Sequence, residues 1–159
     1  MNEINRVQYA NYTLETLYPQ KGGLVDCHRH LDRHNTLDEY GYSLLADNAP
    51  LEEKWKYIDL VKSGYHYLIT LEGRMRNAVL DMMHQGISAS GTYVDVDEIV
   101  KLKGIEAANA AKMLAEELGL ILKIGVYPIK GLDTPERIAI FEAAIELTDF
   151  IGGFITNRT

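Results

Sequence analysis

The sequence predicts an α/β protein in which parallel strands alternate with helices. Three observations predict it. Strand-like and helix-like segments alternate along the chain, the pattern of βα units that feed a parallel sheet. Leu120-Ile121-Leu122-Lys123-Ile124-Gly125-Val126-Tyr127 is a near-continuous apolar run, as expected of a strand buried on both faces. The chain has 159 residues, 47% of them hydrophobic, which suits a single domain with its own core.

Taken in order, residues 1–20 are polar and Tyr-rich with weak periodicity, and read as a peripheral segment of one domain spanning 1–159. Gln20-Lys21-Gly22-Gly23 is a turn signal, after which Leu24 to His28 reads as a short buried strand. Residues 33–50 show little regularity and read as a long loop closing at Pro50; long loops in compact domains are often functional. Leu51 to Lys62 has helical spacing in Trp55, Ile58 and the Leu60/Val61 pair, and Gly64 breaks it. From Tyr67 to Gln85 a second helix places Leu68, Leu71, Met75, Ala78, Val79 and Met82 on one stripe, with Gly86 as its C-terminal glycine.

Residues 87–96 are β-rich and end in carboxylates. Residues 104–118 form an Ala- and Glu-rich helix stopped by Gly119, and the apolar run already noted follows. Thr134-Pro135-Glu136 has an N-cap, a proline at the first helical position and an early acid; this helix is expected to run to Leu147. Residues 150–155 read as a last strand.

Composition excludes several classes. One cysteine, Cys27, cannot make a disulfide scaffold, and cytoplasmic residence is the expectation. No run of about 18 apolar residues is present, so no transmembrane helix is expected. The N-terminus lacks the basic-then-apolar layout of a signal peptide. The net charge of −7, without a basic stripe, disfavours nucleic-acid binding, which needs clustered Lys and Arg against phosphates.

The chemistry-bearing segment is Asp26-Cys27-His28-Arg29-His30-Leu31-Asp32. Side chains on a strand repeat with period two, so His28 and His30 point the same way and can face one cation. Imidazole nitrogen suits zinc and iron alike. Two ligands do not complete a catalytic site, and a solvated or hydrogen-bonded loop pair is the alternative. The same alternation puts Cys27 opposite His28 and reads it as packing.

GGLVDCHRHLD resembles the first-strand signature of the amidohydrolase superfamily of metal-dependent (β/α)-barrel hydrolases, and is most similar to its cytosine deaminase branch. Leu31-Asp32, the Glu52-Glu53-Lys54-Trp55 helix start, Gly86-Ile87, Thr92-Tyr93-Val94-Asp95 and Val126-Tyr127-Pro128-Ile129-Lys130-Gly131 follow that branch in order, over roughly residues 19–155. The resemblance implies a partial TIM-type barrel, about its first four βα units. It implies His28 and His30 as ligands of a divalent metal, zinc or iron. It implies hydrolysis of C–N bonds in cyclic amidines or amides, with acidified water as nucleophile and a carboxyl group from a later strand as proton donor.

Several positions depart from the branch. Tyr93 stands where it has a histidine, and Ile129 where a glutamine holds the pyrimidine, which speaks against cytosine itself as substrate. The small β-sandwich that precedes the barrel is not found before the motif. A full barrel takes about 250 residues, so this chain covers the first half, and the later-strand ligands and acid are not in it.

Among the other candidates, Asp32 either orients a metal-bound histidine or caps the next turn. His34 lies close enough to reach the same mouth, whereas His66 and His84 fall in helices and read as structural. Tyr93, Asp95 and Asp97 are candidate substrate or supporting contacts at the end of the second strand, and for Asp95 and Asp97 a loop acid or helix cap is the favoured alternative. Lys130 ends the third strand, and the superfamily uses a carbamylated lysine only on a different strand. Gly152-Gly153 reads as close strand packing.

The expected partners are a small-molecule substrate, and either a second copy of the chain or a complementary C-terminal half-barrel chain, since an open half-barrel leaves two strand edges and an apolar inner layer exposed. Two alternatives differ in class. One is a non-catalytic half-barrel that self-associates. The other is a TatD-like or histidinol-phosphatase-like metal phosphoesterase, against which the helical insertion before the second strand and the Tyr-Pro-x-x-Gly turn speak.

Overall fold

A computed structural model describes residues 22–153. Among them, strands β1 (Leu24–Arg29), β2 (Ile87–Asp95), β3 (Ile121–Tyr127) and β4 (Phe150–Ile151) form one parallel sheet in the order β1-β2-β3-β4. Helices α1 (Glu39–Ala46), α2 (Leu51–Ser63) and α3 (Tyr65–His84) lie between β1 and β2. Helix α4 (Lys103–Glu117) lies between β2 and β3, and α5 (Pro135–Ile145) between β3 and β4. A 3-10 turn, Leu31–Arg33, follows β1. The predicted α/β class with parallel strands is what the molecule has. The segment 1–20 and the end of the predicted last strand, Phe154 and Ile155, lie outside the described residues.

The stripe on α3 does what its spacing predicts. Leu71, Met75, Ala78, Val79 and Met82 are buried against the sheet and α4. Helix α4 answers with Ile105, Ala108, Ala111 and Ala115, all fully buried; the alanines let the two helices and the sheet approach closely. Leu122, Ile124 and Val126 of β3 and Val94 of β2 complete this layer.

Two expectations are corrected. The run at 120–127 is not buried on both faces: its burial alternates, with Ile121 61% exposed and Lys123 outward, while Leu122 and Ile124 are buried. Residues on the face away from α3 and α4, Val25 (64% exposed) among them, stand open. Among the described residues, the sheet is therefore covered on one side only.

The second correction is α1, inside the segment read as loop. Its N-cap Asp38 accepts a hydrogen bond from the Gly41 N–H at 2.8 Å. The Tyr57 hydroxyl of α2 also accepts from the Asp38 N–H and donates onward in the same cluster. Gly41 leaves room for the Tyr57 ring, which an added Cβ would strike. A contact 16 residues away in sequence thus builds this helix, and periodicity does not report it.

Among the described residues, no helix is long and apolar enough to cross a membrane.

Candidate functional site

Strand β1 is irregular where the motif begins. Asp26 pairs with Ser90 and Arg29 with Thr92, so three steps on β1 face two on β2. The extra residue is a bulge, and it resets the alternation. Cys27 and His28 consequently both stand exposed on the open side of the sheet, while Asp26 and Arg29 share the other and pair at 2.6 Å. Cys27 is therefore not packed, contrary to the strict alternation expected of this strand.

His28 and His30 are brought together, ring centroids 5.4 Å apart. Tyr93 lies 4.7 Å from His28 and 5.9 Å from His30, and Tyr127 meets His30 edge-on at 5.8 Å. Phe150 closes the row against Tyr93 at 5.3 Å. The Phe150 ring lies over Gly91 and Gly125, and Gly152 leaves space for the Tyr93 ring. The close packing read from Gly152 is there; Gly153 has open space beside it. Sequence reasoning singled out Tyr93 and missed Tyr127 and Phe150 as neighbours. The signal for Tyr127 was its place two residues beyond Gly125 on the same face of β3.

Three contacts pin the turn that carries His30. The Leu31 N–H donates to Thr92 Oγ1 at 3.1 Å. Arg74 of α3 donates to the carbonyls of Asp32 and His34 at 2.9 and 2.8 Å, its guanidinium lying 4.7 Å from the Tyr67 ring centre. Among the described residues, His30 Nδ1 is buried with no hydrogen-bond partner. Burial, and then the positive Arg33 nearby, push its pKa down to about 4. A neutral imidazole with an unpaired nitrogen is the form that ligates a cation.

Beneath the pair runs a buried charge network. Asp95 receives both Arg33 Nη2 and Nε on one side and Lys62 Nζ, at 2.8 Å, on the other. Lys62 also reaches Asp97 at 2.9 Å. Burial alone would lower the Lys62 pKa, but Asp95 and Asp97 hold it above its ordinary value, so it is a buried cation. Asp97 Oδ1 accepts the N–H groups of Ile99 and Val100, so it is a turn cap as well as an ion-pair partner. Asp32 Oδ2 accepts the Asp95 N–H at 3.1 Å, and its Oδ1 is buried without a partner. Burial, with Asp95 adding to it, pushes the Asp32 carboxyl up to about 7. Arg33 and Lys62 were not legible as members of this site.

The remaining candidates are placed as follows. Asp32 makes no hydrogen bond to either imidazole. The carboxylate of Asp95 is engaged by Arg33 and Lys62. His34 Nε2 lies 3.2 Å from Asp81 of α3. Lys130 Nζ lies 3.1 Å from Asp59 of α2. Among the described residues, no three His, Cys, Asp or Glu side chains converge on a point that would hold a metal. The donor chemistry nonetheless fits a divalent cation in part: two imidazoles on one face, one with an unpaired buried nitrogen.

No family model matches the chain. It is 31% identical over 134 residues to an uncharacterized protein of Haemophilus influenzae, a match covering 84% of this chain and 48% of that protein. The chain thus spans about half the length of the relative it matches.

Proposed function

We propose that the chain is the first half of a metal-dependent hydrolase barrel, acting on C–N bonds of cyclic amidines or amides together with a second half. The observation that carries the reading is His28 and His30 side by side at the carboxyl edge of the first strand of a sequentially ordered parallel sheet. Ligands in open α/β sheets and barrels gather at that edge. The open face bearing Val25 and Ile121 supports it as well, because parallel sheets are ordinarily covered on both sides. The relative, of which the match covers 48%, supports a further part of similar size.

In this reading His28 and His30 supply two ligands, and the others come from the second half. A divalent cation there supplies a nucleophile at neutral pH by acidifying water. Hydrolysis adds the water oxygen to carbon, breaks the C–N bond and transfers protons to the leaving nitrogen. Tyr93 packs beside His28 and Tyr127 beside His30, and the Thr92 and Arg74 contacts hold His30 in place. The same open face favours a second reading, a non-catalytic half that pairs with its own copy.

Native mass spectrometry decides between them. The chain is mixed with zinc or ferrous iron, with and without a separate polypeptide made from the part of the Haemophilus influenzae relative outside the match. A one-to-one complex carrying metal, lost in the His28→Ala/His30→Ala variant and hydrolysing amides or amidines, supports the first reading. A metal-free homodimer that takes no partner overturns it in favour of the second.

A further inference from the structure

Past Tyr127 the carboxyl end of the sheet opens into a cavity of about 790 Å³ between α2 and the β3–α5 connection. That volume lies within the roughly 300–1,000 Å³ typical of small-molecule sites. Its apolar wall is Trp55 and Ile58 on one side and Tyr127, Pro128, Ile129 and Leu132 on the other. Its charged groups are matched. Lys130 pairs with Asp59, and Arg137 pairs with Asp133 and with Glu98 behind it. A ligand anion would have to share Lys130 or Arg137 with a carboxylate already beside it, which weakens its attraction, whereas an apolar group meets the Trp55, Ile58 and Leu132 wall and disturbs neither pair.

Tyr127 belongs to both places. It meets His30 edge-on at 5.8 Å and it lines the cavity. A molecule with its reacting bond at the imidazole pair can therefore extend past Tyr127 into the Trp55 cavity. We infer that the substrate carries an uncharged aryl or branched alkyl group, and that the Trp55 cavity binds it. This rests on the hydrolase reading for the word substrate; the cavity and its preference for an uncharged apolar group do not.

Trp55 is the only tryptophan of the chain, so its indole N–H gives one signal in a proton–nitrogen correlation spectrum of the full-length labelled protein. Three probes are titrated: 2-naphthamide, 2-naphthoate and acetamide. The expected result is a saturable shift of that signal by 2-naphthamide, with a dissociation constant at least about tenfold lower than for 2-naphthoate, and no shift by acetamide.

Gly153 also lines the cavity, and an added Cβ there meets no atom of the other described residues within 4 Å. Gly153→Leu therefore fills the space without forcing the backbone. It is expected to weaken 2-naphthamide binding about tenfold while the backbone amide spectrum keeps its dispersion. Absence of saturation up to the solubility limit overturns the inference. So does naphthoate binding as tightly as the amide, or Gly153→Leu binding unchanged. The titration reads Trp55 and needs no metal, so its failure leaves the metal measurement above untouched, and the reverse holds too.

Discussion

The ammonium of Lys62 sits 2.8 Å from Asp95, with both side chains removed from solvent. This contact joins α2 to the carboxyl end of β2 across 33 positions of sequence, and so fixes the wall of the cavity relative to the imidazole pair.

Lys62→Met keeps the stem and removes the charge. Asp95 and Asp97 are then left buried with less compensation, and breaking a buried pair costs roughly 3–5 kcal/mol. Urea unfolding of the wild type and variant should show a loss of that size. A loss below about 1 kcal/mol, the level of a surface pair, would mean that water reaches this network.

Asp149 carries the clearest pH dependence. Burial pushes its carboxyl up, but hydrogen bonds from Lys112, the Ile124 N–H and Lys123 outweigh that and bring it down to about 2. A carboxylate depressed on folding stabilises the protein above its unfolded value near 3.9, and that stabilisation is lost as pH falls toward 2. The difference in urea midpoint between wild type and Asp149→Asn should therefore be constant above about pH 5 and shrink between about pH 4 and pH 2. A difference that stays flat to pH 2 would count against the Lys112 and Lys123 contacts.

Met75 has no exposed surface and lies at the centre of the α3 stripe. Met75→Ala leaves a cavity between α3, α4 and the sheet, with an expected loss of about 2–5 kcal/mol. Met113 of α4, 66% exposed, is the control, and Met113→Ala should stay within about 0.5 kcal/mol of wild type.

Tyr93 occupies the space beside both imidazoles. Tyr93→His places a third imidazole there and should tighten zinc binding by the chain on the order of tenfold, read by competition with a coloured chelator. Unchanged affinity would show that the pair does not present its nitrogens toward position 93.

Much of this architecture was legible. The stripes of α3 and the alanine-rich α4 repeat at helical period because one face of each packs, and the strands appear as short apolar runs between glycines. His28 and His30 were legible as a pair. What escaped the reading shares a cause: it depends on contacts far apart in sequence. Arg33 meets Asp95 across 62 positions, and Lys62 meets Asp97 across 35. Helix α1 needs Tyr57 of α2. The exposed apolar inner layer was expected of a half-barrel; the run at 120–127 was nonetheless read as buried on both faces because an apolar Ile121 looks the same whether a layer covers it or not.

The bulge in β1 works as a change of reading frame. A strand is read two residues at a time, one letter for each face. At Val25 and Asp26 the frame turns the even-numbered residue toward the helices; without an interruption it would turn His28 toward that packed side. Cys27 is the added letter, and after it the frame serves the imidazoles. The two halves of one strand are thereby free to change separately. Removing Cys27 would take away the mismatch between Asp26 and Arg29 and leave the separate shift between Leu24 and Val25, whereas removing Arg29 would make His28 and His30 direct neighbours and so put them on opposite sides of the sheet.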